Sequence, residues 1–212
     1  MLNSYTKLFI FVSFTVSPII IQEILKRQIE KKRNKLKTEH NNYYHELVFI
    51  SMKQFKCRGH IIKNTECGDS CGTTQLRRMI KFISSATICI SCCVYMFTSE
   101  EITEALIEAH RRGIKIRIIT DEGLRVHKSS KLDTWIQNGI ACKTPGCVDE
   151  LMHHKFCLID EKNPKLAKLV FGSLNFTHTA FCNNFESLMY TNNPDIIKRF
   201  SEEFELLWND LL

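Results

Sequence analysis

Met152-His153-His154-Lys155-Phe156-Cys157-Leu158-Ile159-Asp160, with Gly172-Ser173-Leu174-Asn175 after it, is the stretch on which the reading of this chain turns. Its centre is apolar and its ends are polar, and it is too short for a surface helix, so it predicts a buried β-strand. Alternate side chains of a strand point to opposite faces. His153 and Lys155 therefore share a face, while His154 points away and is expected to pack or hydrogen-bond as a neighbour. The same alternation puts Asp160 across the sheet from His153, in a supporting role at the strand end. An unperturbed imidazole titrates near pH ~6.5, so a neutral nucleophile is available at physiological pH. Lys155 offers a fixed positive charge to phosphoryl oxygens, Asn175 an amide donor and Ser173 a hydroxyl donor; such groups act by preorganised electrostatics. An imidazole, an ammonium and an amide suffice to attack and hold a phosphodiester, and no catalytic metal is expected.

Working outward, Glu161 to Lys168 is a lysine-rich segment with Asn163-Pro164, expected as an exposed turn that lengthens the hairpin into Gly172. Upstream, Thr74 to Ser84 has apolar residues at helical spacing, with Thr73 or Thr74 as its cap, and Thr87 to Val94 reads as a strand. Ser99 to Arg112 is an amphipathic helix with a capping serine and acids first, stopped by Gly113. Ile114 to Thr120 reads as a strand, and Ser130 to Asn138 as a short helix stopped by Gly139. Strands follow near 168–173 and 186–191, and Pro194 to Leu211 closes the chain as an amphipathic helix. Alternation of strands and helices predicts an α/β fold, a mixed sheet flanked by helices.

The His-x-Lys-x-x-x-x-Asp run and its Gly-Ser-x-Asn companion resemble the HKD motif of the phospholipase D superfamily. Gly113 to Asp121, Asn183-Asn184-Phe185-Glu186 and the closing Phe200 to Trp208 narrow the resemblance to its mitochondrial cardiolipin hydrolase, or Zucchini-type, branch, over about residues 55–212. The resemblance implies a phospholipase D-like fold and a catalytic set of His153, Lys155, Asp160, Asn175 and Glu186, with Glu186 orienting the nucleophilic ring. Phosphate would be held by Lys155, Ser173 and Asn175. The resemblance also implies a phosphodiesterase: an endoribonuclease on single-stranded RNA that serves piRNA production and leaves 5′-phosphates, or alternatively a cardiolipin hydrolase producing phosphatidate. An inactive membrane scaffold is a third reading, against which the intact His153, Lys155, Asn175 and Glu186 argue.

In-line displacement at phosphorus needs a nucleophile on one side and an acid on the other. His40, His45, His60, His110, His127 and His178 all lack the motif, so one chain supplies a single reactive histidine. A two-fold homodimer with a composite active site, one His153 attacking and the other protonating, answers the need.

The net charge of +6 is unevenly spread: residues 1–63 hold 12 Lys+Arg against 4 Asp+Glu, and residues 64–212 hold 17 against 19. A globally basic catalytic surface is thereby excluded. A nucleic-acid groove would be a local concentration around Lys155, with Arg77, Arg78, Lys81 and the Lys53–Lys63 stretch as candidates. Leu8 to Ile21 is apolar, and a helix of 18 residues would reach roughly 27 Å, barely the hydrocarbon thickness. No Ala-x-Ala site follows it, whereas Lys26-Arg27 and Lys31 to Lys37 do, which favours an anchor with the following domain in the cytosol over a cleaved signal. As in the resembled family, this suits the mitochondrial outer membrane. The expected organisation is a membrane anchor over 1–25, a basic linker over 26–52, a zinc element over 53–72 and the catalytic domain over 73–212.

Ten cysteines in a cytosol-facing chain are expected to stay reduced, most of them as small core residues. Cys57, His60, Cys67 and Cys71 are the exception. Three thiols and an imidazole amid Gly and Asp fit a structural tetrahedral Zn²⁺ site, and the resembled family carries a zinc element of that composition before its catalytic domain.

Overall fold

Seven strands of alternating or continuous apolar residues line up in the order β1-β7-β6-β5-β2-β3-β4. In chain order they are β1 (His45–Ile50), β2 (Cys89–Val94), β3 (Lys115–Ile119), β4 (Ala141–Lys143), β5 (Lys155–Ile159), β6 (Lys168–Gly172) and β7 (Glu186–Thr191). This computed structural model describes residues 18, 20–34, 43–51, 57–69, 71–123, 130–145 and 151–210. It divides into two units, Met1–Tyr43 and Tyr44–Leu212. β2, β3 and β4 run parallel, and the other neighbours pair antiparallel. The predicted mixed α/β sheet is therefore what forms.

Helices cover both faces. On one side lie α2 (Gly72–Ser84), α3 (Glu100–Arg111), α4 (Leu132–Gln137) and the short α5 (His178–Cys182), after α1 (Arg58–Ile62). Leu76, Met79 and Ile83 of α2, Leu106 of α3 and Trp135 of α4 pack there with Ile90, Ile118, Cys157 and Ile159 of the sheet. On the other side α6 (Pro194–Asp210) sets Ile197 and Phe204 on Cys93, Ile119, Phe156, Leu158 and Leu169. Adjacent β5 residues thus enter different cores, as strand alternation requires.

Local signals explain the helix ends. The Ser99 side chain accepts from Ile102 N–H at the start of α3, and Gly113 (φ 89°) turns the chain out of it. The expected Thr73 or Thr74 cap of α2 is not used: the helix begins earlier, with Cys71 as N-cap and no side-chain bond there. Thr74 instead donates to Glu66 and to the Gly68 carbonyl at 3.1 and 2.9 Å.

The stretch expected as a basic linker over 26–52 carries regular structure at both ends. Residues 20–34 are helical, and β1 adds to the sheet edge through antiparallel pairing with β7. β1 lacks strict alternation in its sequence, and only Val48 and Ile50 are buried. The apolar run from Leu8 lies, apart from residues 18, 20 and 21, outside the described residues. Among those described, no helix is long and apolar enough to cross a membrane.

Candidate active site

β5 begins at Lys155, later than the strand predicted from Met152, but Tyr95 N–H donates to the His154 carbonyl at 2.9 Å and prolongs the β2–β5 pairing. Side-chain parity survives this. The exposed His153 ring packs against the Tyr95 ring with centroids 4.9 Å apart, and Lys155 Nζ lies 5.2 Å from the centre of the same ring. Lys155 Nζ also donates to the His153 carbonyl at 2.7 Å. His154 turns to the other face, where its Nε2 stands 3.2 Å from Glu203 and its ring 5.7 Å from Phe156. Partial burial lowers the Lys155 pKa and the Glu186 carboxylate opposes the shift, so these two charges act on one another across the site.

The second half of the motif arrives on β6. A Cβ at Gly172 would come 1.9 Å from the Ser187 carbonyl oxygen, so only glycine allows β6 to approach β7 here. The chain then docks on the segment after β2: Phe176 N–H donates to the Met96 carbonyl at 3.0 Å, and Asn175 Oδ1 accepts from Met96 N–H at 3.2 Å. With its oxygen engaged, the amide of Asn175 keeps its NH₂ for an incoming oxygen. The lengthened Glu161–Lys168 hairpin leaves the register intact, with Phe156 opposite Phe171.

Ser173 and Glu186 meet, but not as expected. Ser173 Oγ donates to Glu186 Oε2 at 2.5 Å and accepts from Ser187 N–H at 3.0 Å, and Asn184 Nδ2 donates to Glu186 Oε1 at 2.9 Å. Among the described residues no hydrogen bond links Glu186 to the His153 ring, because the β6–β7 register presents Ser173 to the carboxylate first. The Ser173 hydroxyl proton is accordingly committed to Glu186.

Asp160 stands at the far end of β5, buried and in the left-handed region (φ 52°). Its carboxylate accepts from Thr87 N–H at 3.0 Å, Ile88 N–H at 2.7 Å, Cys89 N–H at 2.9 Å and Thr87 Oγ1 at 2.9 Å. Burial works against the charge, but these donors outweigh it and hold the carboxyl below its ordinary value. Asp160 ties the loop before β2 to the end of β5 and takes no place at the His153 centre.

Sequence reasoning missed Tyr95, whose ring supports both His153 and Lys155. The signal was available in the strand reading, since Tyr95 directly follows β2 and any strand paired with Met152–Asp160 must end beside the motif. The groove candidates also need correction. Arg77 is held by Glu66 and by both oxygens of Asn64, and Arg78 is ion-paired with Glu46. Lys81 and Arg78 face the opposite end of the sheet. Lys53 lies outside the described residues.

Cys57, His60, Cys67 and Cys71 come together, with one potential ligand atom of each within 4.8 Å of all the others. Cys57 and Cys67 sulfurs are 3.3 Å apart, and Cys71 Sγ lies 3.5 Å from His60 Nδ1. A tetrahedron with bonds of about 2.0–2.3 Å has edges of roughly 3.5–3.8 Å, so the four donors fit a zinc ion. Although burial opposes it, the His60 ring and backbone N–H groups lower the Cys71 pKa to about 6, whereas the hydrogen bond to Cys67 and burial push Cys57 up to about 11, a thiol that would need a bound cation to ionise.

Known proteins are similar to this chain in sequence and fold. A family model described as "Cardiolipin synthase, PLD-like domain" matches residues 79–208. The mitochondrial cardiolipin hydrolase of Chlamydomonas reinhardtii is 30% identical over 168 residues, covering 77% of this chain and 73% of the relative. That of Danio rerio is 31% identical over 135 residues, 64% of this chain and 57% of the relative, so the match spans little more than half of that protein. Among solved structures, Nuc from Salmonella typhimurium, a phospholipase D family member, superimposes with a TM-score of 0.62 at 23% identity, covering 81% of this chain and 97% of Nuc. The chain belongs to the phospholipase D-like family. It is, in that class, a phosphodiesterase.

Proposed function

We propose that this protein cleaves the phosphodiester backbone of single-stranded RNA, leaving a 5′-phosphate, through a phosphohistidine on His153. The observation that carries the reading is the convergence of His153 and Lys155 on Tyr95, with Asn175 bonded to the next residue, on an exposed rim that a polymer can reach. A His153 ring nitrogen attacks phosphorus in line while Lys155 and the Asn175 amide draw charge from the non-bridging oxygens. The P–O3′ bond breaks, and the leaving oxygen takes a proton from a second imidazole. Water then attacks the phosphohistidine, restores the ring and releases the 5′-phosphate.

The second imidazole is His153 of another copy of this chain. Leu151 and Phe185, 62% and 66% exposed, flank His153 and Glu186 and supply apolar surface for such a partner at the right place. Ser173 and Asn184 hold Glu186 as the local anion that keeps Lys155 charged. A zinc ion on Cys57, His60, Cys67 and Cys71 would brace the chain leading into α2. Membrane attachment through the N-terminal segment is part of the same reading, as is a place in piRNA production at the mitochondrial outer membrane.

The names of the curated relatives favour a second reading, in which the same centre hydrolyses cardiolipin to phosphatidate. Labelled single-stranded RNA and cardiolipin vesicles, each incubated with full-length protein in EDTA, separate the two. Cleaved RNA bearing 5′-phosphates, lost in His153→Ala, is the expected result. Intact RNA beside hydrolysed cardiolipin would overturn the first reading.

A further inference from the structure

At the end of the sheet away from His153 lies a cavity of about 470 Å³ that the phosphodiesterase centre does not use. Lys168 opens β6, and Tyr190 and Thr191 close β7 with Asn192 next in the chain, whereas Gly172 and Glu186 mark the other ends of those strands. Four or five residues at ~3.3 Å each put about 13–17 Å between cavity and catalytic end. The walls come from Tyr44, from Arg78, Lys81, Phe82 and Ser85 on α2, and from Lys168 and Tyr190.

The charge of this cavity is unbalanced. Arg78 is neutralised by Glu46, but Lys168 Nζ donates to the uncharged Ser85 Oγ at 3.1 Å, and among the described residues no acid lines the walls. Lys81 and Ser85 are one helical turn apart, so the amine that reaches Ser85 is brought beside Lys81. Lys81 and Lys168 both line the cavity, together with an apolar wall where the Phe82 and Tyr190 rings meet edge to face at 5.5 Å. The Tyr190 hydroxyl is fully shielded, so Tyr190 meets the cavity through its ring. Cations above apolar rings match a ligand with a phosphate on an apolar body.

We propose that this cavity binds the phosphate of an anionic phospholipid, with Lys81 and Lys168 on the phosphate and the glycerol portion against Tyr44 and Phe82. The choice of lipid over nucleic acid rests on the membrane attachment proposed above. Tyr44 is the first residue of the catalytic unit and stands seven positions after the basic segment 26–37 in the sequence. A lipid bound here would hold the catalytic unit by its far end and leave His153 facing away from the bilayer.

Short-chain dihexanoyl phosphatidate, titrated calorimetrically into full-length protein in neutral detergent, tests the site without a bilayer. Saturable binding at one additional site per chain is expected. Lys81→Gln/Lys168→Gln should weaken it at least tenfold and leave hydrolysis of a small chromogenic phosphodiester unchanged, while Lys115→Gln/Lys198→Gln, which removes equal charge elsewhere, should not weaken it. Unchanged affinity in the cavity variant would overturn the site. Equal affinity for inorganic phosphate, or preferential binding of oligouridylate that the cavity variant abolishes, would overturn the lipid assignment. Loss of RNA cleavage in His153→Ala bears only on the catalytic reading, so the two can fail separately.

Discussion

Replacing Asp160 separates the two halves of the motif. Its carboxylate accepts three backbone N–H groups and one hydroxyl from Thr87, Ile88 and Cys89 at 2.7–3.0 Å. Bonds to a charged acceptor contribute about 1.5–3 kcal/mol each, but their sum overstates the loss. Thr87 and Ile88 are exposed, so water recovers part of what Asp160→Ala removes, leaving about 3 kcal/mol. The left-handed backbone at φ 52° adds about 1 kcal/mol for alanine, whereas asparagine tolerates it. Asp160→Ala should therefore cost about 4 kcal/mol and Asp160→Asn about 2, large fractions of the 5–15 kcal/mol typical of a domain. Urea unfolding of the full chain in mild detergent, followed by Trp135 and Trp208 fluorescence, reads both. The pH dependence has a definite sign. Because the folded carboxyl titrates below its ordinary value, its contribution is complete above the unfolded pKa of ~3.9 and drains as pH falls through the folded value. The gap between wild type and Asp160→Ala should hold from pH 5 to 8 and narrow in acid. Turnover per folded molecule should stay within about threefold of wild type, since nothing reacts at this end of β5. An unchanged unfolding midpoint with turnover lost by orders of magnitude would refute the reasoning and put Asp160 in the chemistry.

Glu186→Gln removes the carboxylate that opposes the lowering of the Lys155 pKa. The alkaline limb of the pH–rate profile should move to lower pH in this variant, and Lys155→Gln should cut kcat by about 10²–10³ while abolishing that limb; an unmoved limb in Glu186→Gln would break the link between the two charges. Purified protein should carry one zinc per chain, and Cys67→Ser should lose it along with thermal stability while keeping catalytic turnover at low temperature; metal-free wild type of equal stability would remove the zinc proposal.

What the sequence made legible follows from how strongly each segment is forced. β5 and α3 carry unambiguous periods and punctuation, and their ends fall within a few residues of where composition puts them. β1 and β4 are edge strands with partly exposed residues and no pattern that separates them from loop, so only the neighbouring strand in the folded sheet reveals them. His153 and Lys155 share a face and His154 takes the other, as parity along a strand predicts without tertiary detail, whereas Asp160 lies past the strand end at Ile159 in the left-handed region, where its place comes from the bonds to Thr87, Ile88 and Cys89. Glu186 is the opposite case. Whether its oxygens meet an imidazole or the Ser173 hydroxyl depends on the β6–β7 register, which Gly172 sets through a contact no local pattern shows. Arg77 and Arg78 depart from the expected groove for a related reason, since adjacent residues of a helix point about 100° apart and their partners Glu66, Asn64 and Glu46 are set by what packs on α2.

The length of β5 explains why the motif joins residues that never meet. Lys155 and Asp160 lie five positions apart, about 17 Å along a strand, so one end of β5 carries Lys155 beside His153 while the other is pinned to the start of β2 by four donors. β2 and β5 are paired residue for residue from Ile90–Ile159 to Val94–Lys155, and Tyr95, which supports the His153 ring, is simply the next residue of β2. A slip of one residue between these strands would move Tyr95 off His153 and invert which side of β2 each core contact meets. Asp160, bonded to three successive backbone N–H groups, opposes that slip from the far end of the strand. The alternating β5 residues, Phe156 and Leu158 in one core and Cys157 and Ile159 in the other, hold the same register without it, so loss of the carboxylate costs stability and leaves the geometry at His153 in place.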